Sequence, residues 1–131
     1  EKLSAEAKRY MAPLPIDYIP DEEAAGMFGM MMMGGGKHAD PENMAKAQAL
    51  KDATMGWFIV RHLKSKLVHL NGNYHSDFKK GIVTYLSKYR PGLKIATVCS
   101  VRQDEIDKLG EENRGRADFY ICVPTDMTMT Y

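Results

Sequence analysis

Residues 71–77, with the sequence NGNYHSD, concentrate polar side chains between an apolar run and a predicted helix. His75 can bind a metal or transfer protons near neutral pH, and Tyr74 can offer a phenolate to ferric iron. Gly72 permits a tight turn or a close approach of a ligand to the backbone. Ligands of open α/β sheets bind outside the carboxyl ends of strands, and this segment follows a predicted strand. We therefore predict a polar site here; the alternative is that His75 and Ser76 only cap the next helix.

A long helix precedes this loop and must help to position it. Asp40, Pro41 and Glu42 form a strong helix start, because they supply an N-cap, a proline at the first helical position and an acid in the first turn. Between there and about residue 65 only Gly56 interrupts the helical pattern. The sequence predicts one helix over residues 40–65.

One stripe of this helix combines polar and apolar side chains. Gln48, Asp52, Met55 and Ile59 are separated by four, three and four residues, so they share one face. If the stripe is buried, Gln48 and Asp52 need polar partners. A ring N–H of His75 donating to Asp52 would orient the imidazole as a metal ligand is oriented. The alternative buried face consists of Ala49, Ala53, Trp57 and Val60. In that case the two polar side chains lie in water.

The rest of the chain alternates strand-like and helix-like segments. We predict strands over 66–70, 93–100 and 119–123, with helices over 76–89 and 102–109. This β-α-β-α-β order over 66–123 predicts an α/β fold, a parallel sheet of about three strands with flanking helices. Residues 1–65 are predicted to be helical, with a short helix over 4–11. So small a sheet is typical of half of a larger doubly wound domain, and residues 1–131 form a single domain or a carboxy-terminal fragment.

Composition narrows the function classes. The 131 residues carry a net charge of +1, and no basic stripe suggests a nucleic-acid partner. The two cysteines, Cys99 and Cys122, lie in apolar runs without a CxxC motif. This argues against zinc ribbons and covalent haem attachment, and predicts small buried hydrophobic side chains instead. No apolar run reaches the length of about 18 residues that a membrane helix needs.

Residues 27–36 are rich in methionine and glycine and follow a helix predicted to begin at Pro20. They hold five of the ten methionines. Thioethers adapt to irregular apolar ligands and can bind haem iron, but core or interface packing is the better interpretation of any single methionine. His38, behind the glycines, is a possible iron ligand, but a solvated loop residue is the better interpretation. We leave His62 and His69 out of the site.

Two sequence patterns together resemble the ChaN-like family. These are the helical run QALKDATMG, residues 48–56, and the loop NGNYHSD, residues 71–77. The family comprises iron-regulated, haem-binding envelope lipoproteins, similar in fold to erythromycin-esterase-like and Tiki-type proteins. The resemblance extends from about residue 17 to 123 and implies the carboxy-terminal part of such a protein, since the family's amino-terminal half is missing here.

This resemblance implies haem as the cofactor, bound in a homodimer, with a role in haem and iron uptake at the cell envelope. It implies membrane contact only through a lipid anchor outside this chain. The implied haem-site residues are His75, Tyr74, Gln48, Asp52 and Met55. Of these, His75 and Tyr74 are the candidate iron ligands.

Two other functions remain open at this stage. One is a metal-dependent hydrolase in which His75 is a ligand or general base and Asp52 orients it. The other is a non-catalytic scaffold that uses the Met-rich helix as its partner surface. The sequence favours a binding protein over an enzyme.

Overall fold

The computed structural model describes residues 3–19 and 40–128, and every structural statement below refers to them. The predictions for the Met-rich segment 27–36, the helix starting at Pro20 and His38 lie outside the described residues. None of the helices described is long and apolar enough to cross a membrane.

The long predicted helix is α1, Pro41–His62. Its start follows the predicted capping, since the Asp40 carboxylate accepts a hydrogen bond from the Glu42 amide at 3.1 Å. The basic residues Arg61 and His62 lie in its last turn, where they complement the helix dipole. The helix ends three residues before the predicted boundary, at a C-cap with extended backbone at Leu63.

The helix predicted over 76–89 is only its carboxy-terminal part, α2, Ile82–Tyr89. Two short 3-10 turns, Asn73–His75 and Asp77–Lys79, replace the predicted first turns. The reason lies in the backbone, because Phe78, Lys79 and Gly81 have positive φ values of 56°, 59° and 53°. A left-handed backbone cannot continue a right-handed helix, so α2 starts afresh after Gly81.

Helices α1 and α2 pack closely through a glycine. A Cβ atom added at Gly56 of α1 would lie 3.1 Å from the Cβ of Tyr85 on α2. The core cluster at this contact comprises Ala12, Ala49, Ala53 and Tyr85. Small side chains on α1 thus let the helices approach, and the large Tyr85 fills the space between them.

The amino-terminal segment crosses these helices and completes the core. Residues Ala7–Tyr10 form a 3-10 turn where a short helix was predicted over 4–11. The Ala12 amide donates to Thr54 Oγ1 on α1 at 3.2 Å, and the Tyr85 hydroxyl donates to the Asp17 carbonyl at 3.0 Å. These bonds, made to both helices, hold the segment in extended form.

The sheet consists of two parallel strands, β1 (Val98–Gln103) and β2 (Phe119–Pro124). Their register runs from Val98 opposite Phe119 to Gln103 opposite Pro124. Parallel strands with flanking helices confirm the predicted α/β class. Strand β2 coincides with the prediction to within one residue, whereas β1 starts five residues later than predicted.

The predicted first strand, residues 66–70, is not paired in the part of the chain described. The segment has no regular secondary structure, and Val68 is 87% exposed. A link to β1 comes from the loop beyond it, where the Asn73 side-chain amide donates to the Ser100 carbonyl at 2.8 Å. An apolar run shows that a segment can be a strand, but only ladder hydrogen bonds make it one.

The helix predicted over 102–109 is also wrong. Residues 104–108 form bends around the side chain of Gln103. Its Nε2 donates to the Lys108 carbonyl at 2.7 Å, and its Oε1 accepts from the Gly110 amide at 3.2 Å. A polar side chain that bonds nearby backbone groups competes with helix formation. A 3-10 turn, Glu111–Asn113, then leads toward β2.

Candidate functional site

The loop between α1 and α2 brings His75 against the polar stripe of α1. The Nδ1 atom of His75 lies 2.6 Å from Asp52 Oδ1 and 2.7 Å from Gln48 Nε2. The Asp52 side chain is 6% exposed, whereas that of His75 is 24% exposed. The structure therefore assembles Gln48, Asp52 and His75, as the sequence predicts. The imidazole is thus partly exposed, and its hydrogen-bond partner Asp52 is buried.

The proton between Asp52 and His75 belongs on the imidazole. Burial raises the pKa of Asp52, and hydrogen bonds from His75 and Gln48 partly offset that rise. The 2.6 Å separation of Nδ1 and Oδ1 requires a hydrogen between the two atoms, and with Asp52 ionised that hydrogen lies on Nδ1 and is donated to the carboxylate. The Gln48 amide then donates to the same carboxylate and not to Nδ1, since a protonated ring nitrogen has no lone pair to offer.

When the imidazole is neutral, this arrangement leaves the second ring nitrogen of His75 with its lone pair. Within residues 3–19 and 40–128, no hydrogen bond engages His75 Nε2. In a neutral imidazole one nitrogen donates and the other accepts, and the partner of one sets the chemistry of the other. The buried Asp52 carboxylate holds one nitrogen, and the lone pair of the other is the kind of group that binds a Lewis acid.

Tyr74 and Met55 extend the site to either side. The Tyr74 ring stands edge-on to the His75 ring, with centroids 6.1 Å apart. Both Tyr74 and Met55 are half-buried, and Met55 lies three residues after Asp52 on α1. Of the five predicted site residues, three share hydrogen bonds, Tyr74 contacts one of these through its ring, and Met55 neighbours them along the helix.

Gly81 allows this close packing, and the sequence alone did not single it out. A Cβ atom at position 81 would lie 2.5 Å from the His75 carbonyl oxygen and 3.1 Å from Asp52 Oδ2. Its φ of +53° is itself unfavourable for any residue with a side chain. A glycine directly before an apolar helical run was the only available signal.

The loop between His75 and Gly81 is strained. Phe78 and Lys79 have φ values of 56° and 59°, and a left-handed conformation costs about 1–2 kcal/mol for each residue with a side chain. Such strain persists only where surrounding contacts impose it, and it concentrates at functional sites. The loop is thus held in a conformation that its own residues do not prefer.

A second polar cluster holds the other side of the loop. Arg116 donates to Asp77 Oδ2 from Nε at 3.0 Å and from Nη2 at 2.6 Å. Its Nη1 donates to Asn113 Oδ1 at 2.8 Å. Cys99 Sγ lies 3.6 Å from the other oxygen of Asp77, and burial and this carboxylate raise the pKa of the thiol. No sequence pattern predicts this cluster, since Arg116 lies in a charged run typical of solvated loops.

The two predicted faces of α1 turn out to overlap. Ala49 and Ala53 are buried, as the apolar alternative requires, and Asp52 is buried with them. Gln48 is half-buried, and so are Met55 and Trp57. The buried sector therefore lies between the two stripes, and Asp52 is not in water.

Other candidate residues lie apart from this site. His62 is exposed and stacks on Phe58, and His69 is exposed in the extended segment. The two cysteines are free, with Cys99 buried and Cys122 half-buried. In the described ranges no three His, Cys, Asp or Glu side chains group as a metal site. A groove of about 250 Å³ beside Trp57 and Tyr89 is lined by none of the five predicted site residues.

Comparison with known families decides the affiliation of the chain. Residues 1–86 match the family described as haem-binding uptake, Tiki superfamily, ChaN. The chain belongs to this family. The matched region contains α1, the His75 loop and part of α2, and it stops before β1. The resemblance expected up to residue 123 is thus matched as far as residue 86. No curated protein and no solved structure matches the chain.

Proposed function

We propose that this ChaN-family chain binds haem through His75 and acts in haem uptake. One observation carries the proposal: the buried Asp52 carboxylate holds Nδ1 of His75 at 2.6 Å and so leaves Nε2 for a metal. The family description, haem-binding uptake, supplies the ligand class. A histidine whose other nitrogen donates to a carboxylate is the usual arrangement of a metal-binding imidazole.

The chemistry of these side chains fits haem. Haem, when bound, would supply an iron that can bind an imidazole nitrogen or a phenolate. His75 offers the nitrogen, and its bond to Asp52 makes it more basic and fixes its orientation. Gln48 donates to Asp52 and keeps the carboxylate in place. The half-buried Tyr74 and Met55 offer an aromatic face and a soft thioether to an apolar macrocycle.

Tyr74 is the alternative iron ligand. It neighbours His75 in the chain, and a phenolate is a known axial ligand of ferric haem. In our proposal His75 is the ligand and Tyr74 contacts the macrocycle, because the Asp52 carboxylate, which also accepts a hydrogen bond from Gln48, orients the imidazole. Ferric haem bound by the His75 imidazole and ferric haem bound by the Tyr74 phenolate would differ in their absorption spectra.

The setting of this function is also a proposal. We propose that the chain acts as one α/β domain in the cell envelope, in a homodimer whose site takes up haem. Any membrane contact would come from a lipid anchor outside this chain. Support comes from the resemblance of the helix and loop patterns to envelope haem-binding proteins and from the matched family description.

A haem titration followed by the Soret band tests the proposal. The wild-type chain should give a saturable shift, and His75→Ala should weaken or abolish it. Asp52→Asn should raise the Kd by about 10- to 100-fold, the usual effect of removing the partner of a metal-binding histidine. His69→Ala is the matched control, because His69 is exposed and apart from the site.

The outcomes separate the assignments. An unchanged Kd in a folded His75→Ala variant would refute His75 as the ligand. If Tyr74→Phe instead abolished the ferric spectrum while His75→Ala preserved it, Tyr74 would be the ligand. Haem binding equal to that of an unrelated apolar protein would refute the function itself.

A further inference from the structure

Two side chains of the His75 loop contact two different parts of the chain. On one side His75 meets Asp52 of α1. On the other side, two residues later, Asp77 receives two hydrogen bonds from Arg116. The Asp77 side chain is 11% exposed and that of Arg116 is 25% exposed, so this is a largely desolvated ion pair. Removing one member would leave the other as a half-buried charge without its partner.

The segment that carries Arg116 also contacts the strained part of the loop. The Phe78 amide donates to the Arg116 carbonyl at 2.8 Å, and Lys79 Nζ lies 2.6 Å from Asp118 Oδ1. Phe78 and Lys79 are the two residues with left-handed backbone. Their conformation therefore depends on contacts made by residues 116–118, far along the chain.

Asp118 is itself fastened to the sheet. Its Oδ2 accepts from the Thr97 amide at 2.9 Å, directly before β1. Arg116 Nη1 in turn donates to Oδ1 of Asn113 at 2.8 Å, and Asn113 is buried in the turn before β2. Both loop contacts thus start from side chains that the sheet and its connecting turn hold in place.

We propose that Arg116 is a positioning residue for the haem ligand His75. By holding Asp77 and Phe78, it keeps the loop where His75 Nδ1 reaches the Asp52 carboxylate. Arg116 lies outside residues 1–86, the region that matches the family. The inference rests on the proposed haem function for its ligand, but the effect on the imidazole exists without haem.

The experiment compares Arg116→Ala and Arg116→Lys with Arg114→Ala as matched control. Arg114 is two residues away, and it pairs with Glu111 at 2.7 Å in an exposed contact. In haem-free protein, ¹⁵N NMR of the His75 ring should show the Nδ1–H tautomer in wild type and in Arg114→Ala. In Arg116→Ala it should show a mixture of tautomers, because the Asp52 contact is loosened.

Haem titration gives the second readout. Arg116→Ala should raise the Kd by about tenfold, the low end for groups that orient a metal ligand indirectly, and should broaden the ferric EPR signal. Arg116→Lys should recover part of the affinity, because lysine keeps the charge but lacks the planar fork. Arg114→Ala should match the wild type in both measurements.

The results distinguish failure of this inference from failure of the haem function. A wild-type tautomer and Kd in folded Arg116→Ala would overturn the positioning role, even if haem binds at His75. If Arg116→Ala fails to fold, Arg116→Lys decides, and wild-type values for it in both measurements overturn the inference. If wild type does not bind haem, the proposed function fails, and the tautomer measurement still decides the role of Arg116.

Discussion

Replacing Gly81 by alanine tests whether close backbone packing creates the site. The new Cβ atom would lie 2.5 Å from the His75 carbonyl oxygen, closer than such atoms ever come. The loop must then shift and give up the charge-assisted His75–Asp52 hydrogen bond, worth about 1.5–3 kcal/mol. The backbone at Gly81, with φ of +53° and ψ of −120°, lies in a region that residues with a side chain rarely adopt, which adds about 1–3 kcal/mol. We expect Gly81→Ala to lower the free energy of unfolding by about 2.5–6 kcal/mol.

Gly92 offers a control that separates strain from collision. Its φ is also positive, +82°, but an added Cβ would have nothing within 4 Å. Gly92→Ala should therefore cost only the strain, about 1–2 kcal/mol. Urea denaturation of both variants, followed by circular dichroism, measures the difference, and haem titration should show weakened binding in Gly81→Ala alone. Equal destabilisation by the two substitutions, with equal haem affinity, would refute the packing argument.

Three further predictions concern the core, acid stability and the buried thiol. Tyr85→Phe removes a hydrogen bond to the Asp17 carbonyl and should lower the free energy of unfolding by about 1 kcal/mol; no change in urea would contradict this. The hydrogen bond from Lys79 holds the pKa of Asp118 below its ordinary value. The contribution of this ion pair to the free energy of unfolding is therefore full above about pH 3.9 and is lost as the pH falls through the lowered pKa. In Asp118→Asn the urea concentration at the unfolding midpoint should fall less steeply as the pH is lowered. An unchanged fall would count against a contribution from the Lys79–Asp118 pair. Burial raises the pKa of the Cys99 thiol, so iodoacetamide should modify Cys99 only after unfolding, as peptide mass spectrometry of native protein would show.

The elements governed by neighbouring residues could be predicted from the sequence. The start of α1 follows from Asp40 and Pro41, whose capping chemistry is local. Helical spacing predicts an inner face made of Phe78, Ile82, Tyr85, Leu86 and Tyr89. The structure buries Ile82, Tyr85 and Leu86 on α2. Tyr89 is half-buried, and Phe78 lies before the helix and is 46% exposed. Helical periodicity also placed Gln48 and Asp52 on one face, which is why their meeting with a loop histidine could be anticipated.

Local patterns failed where a partner segment decides the structure. Residues 66–70 have the composition of a strand, but a strand needs a neighbour to accept its hydrogen bonds. The run after β1 has helical composition, but the Gln103 side chain bonds its backbone groups instead. The first turns predicted for α2 are replaced because the loop that carries His75 is held in left-handed conformation from outside.

By itself, the sequence determined the α/β class, the long helix with its polar stripe and the loop that contains His75. These follow from capping, periodicity and composition, which act over a few residues. The tertiary structure alone decided that Gly81 lets His75 reach Asp52 and that Arg116 holds Asp77 from 39 residues away. A half-buried ion pair between residues 39 positions apart has no local sequence pattern, because only the completed fold brings the two side chains together and partly excludes water from them.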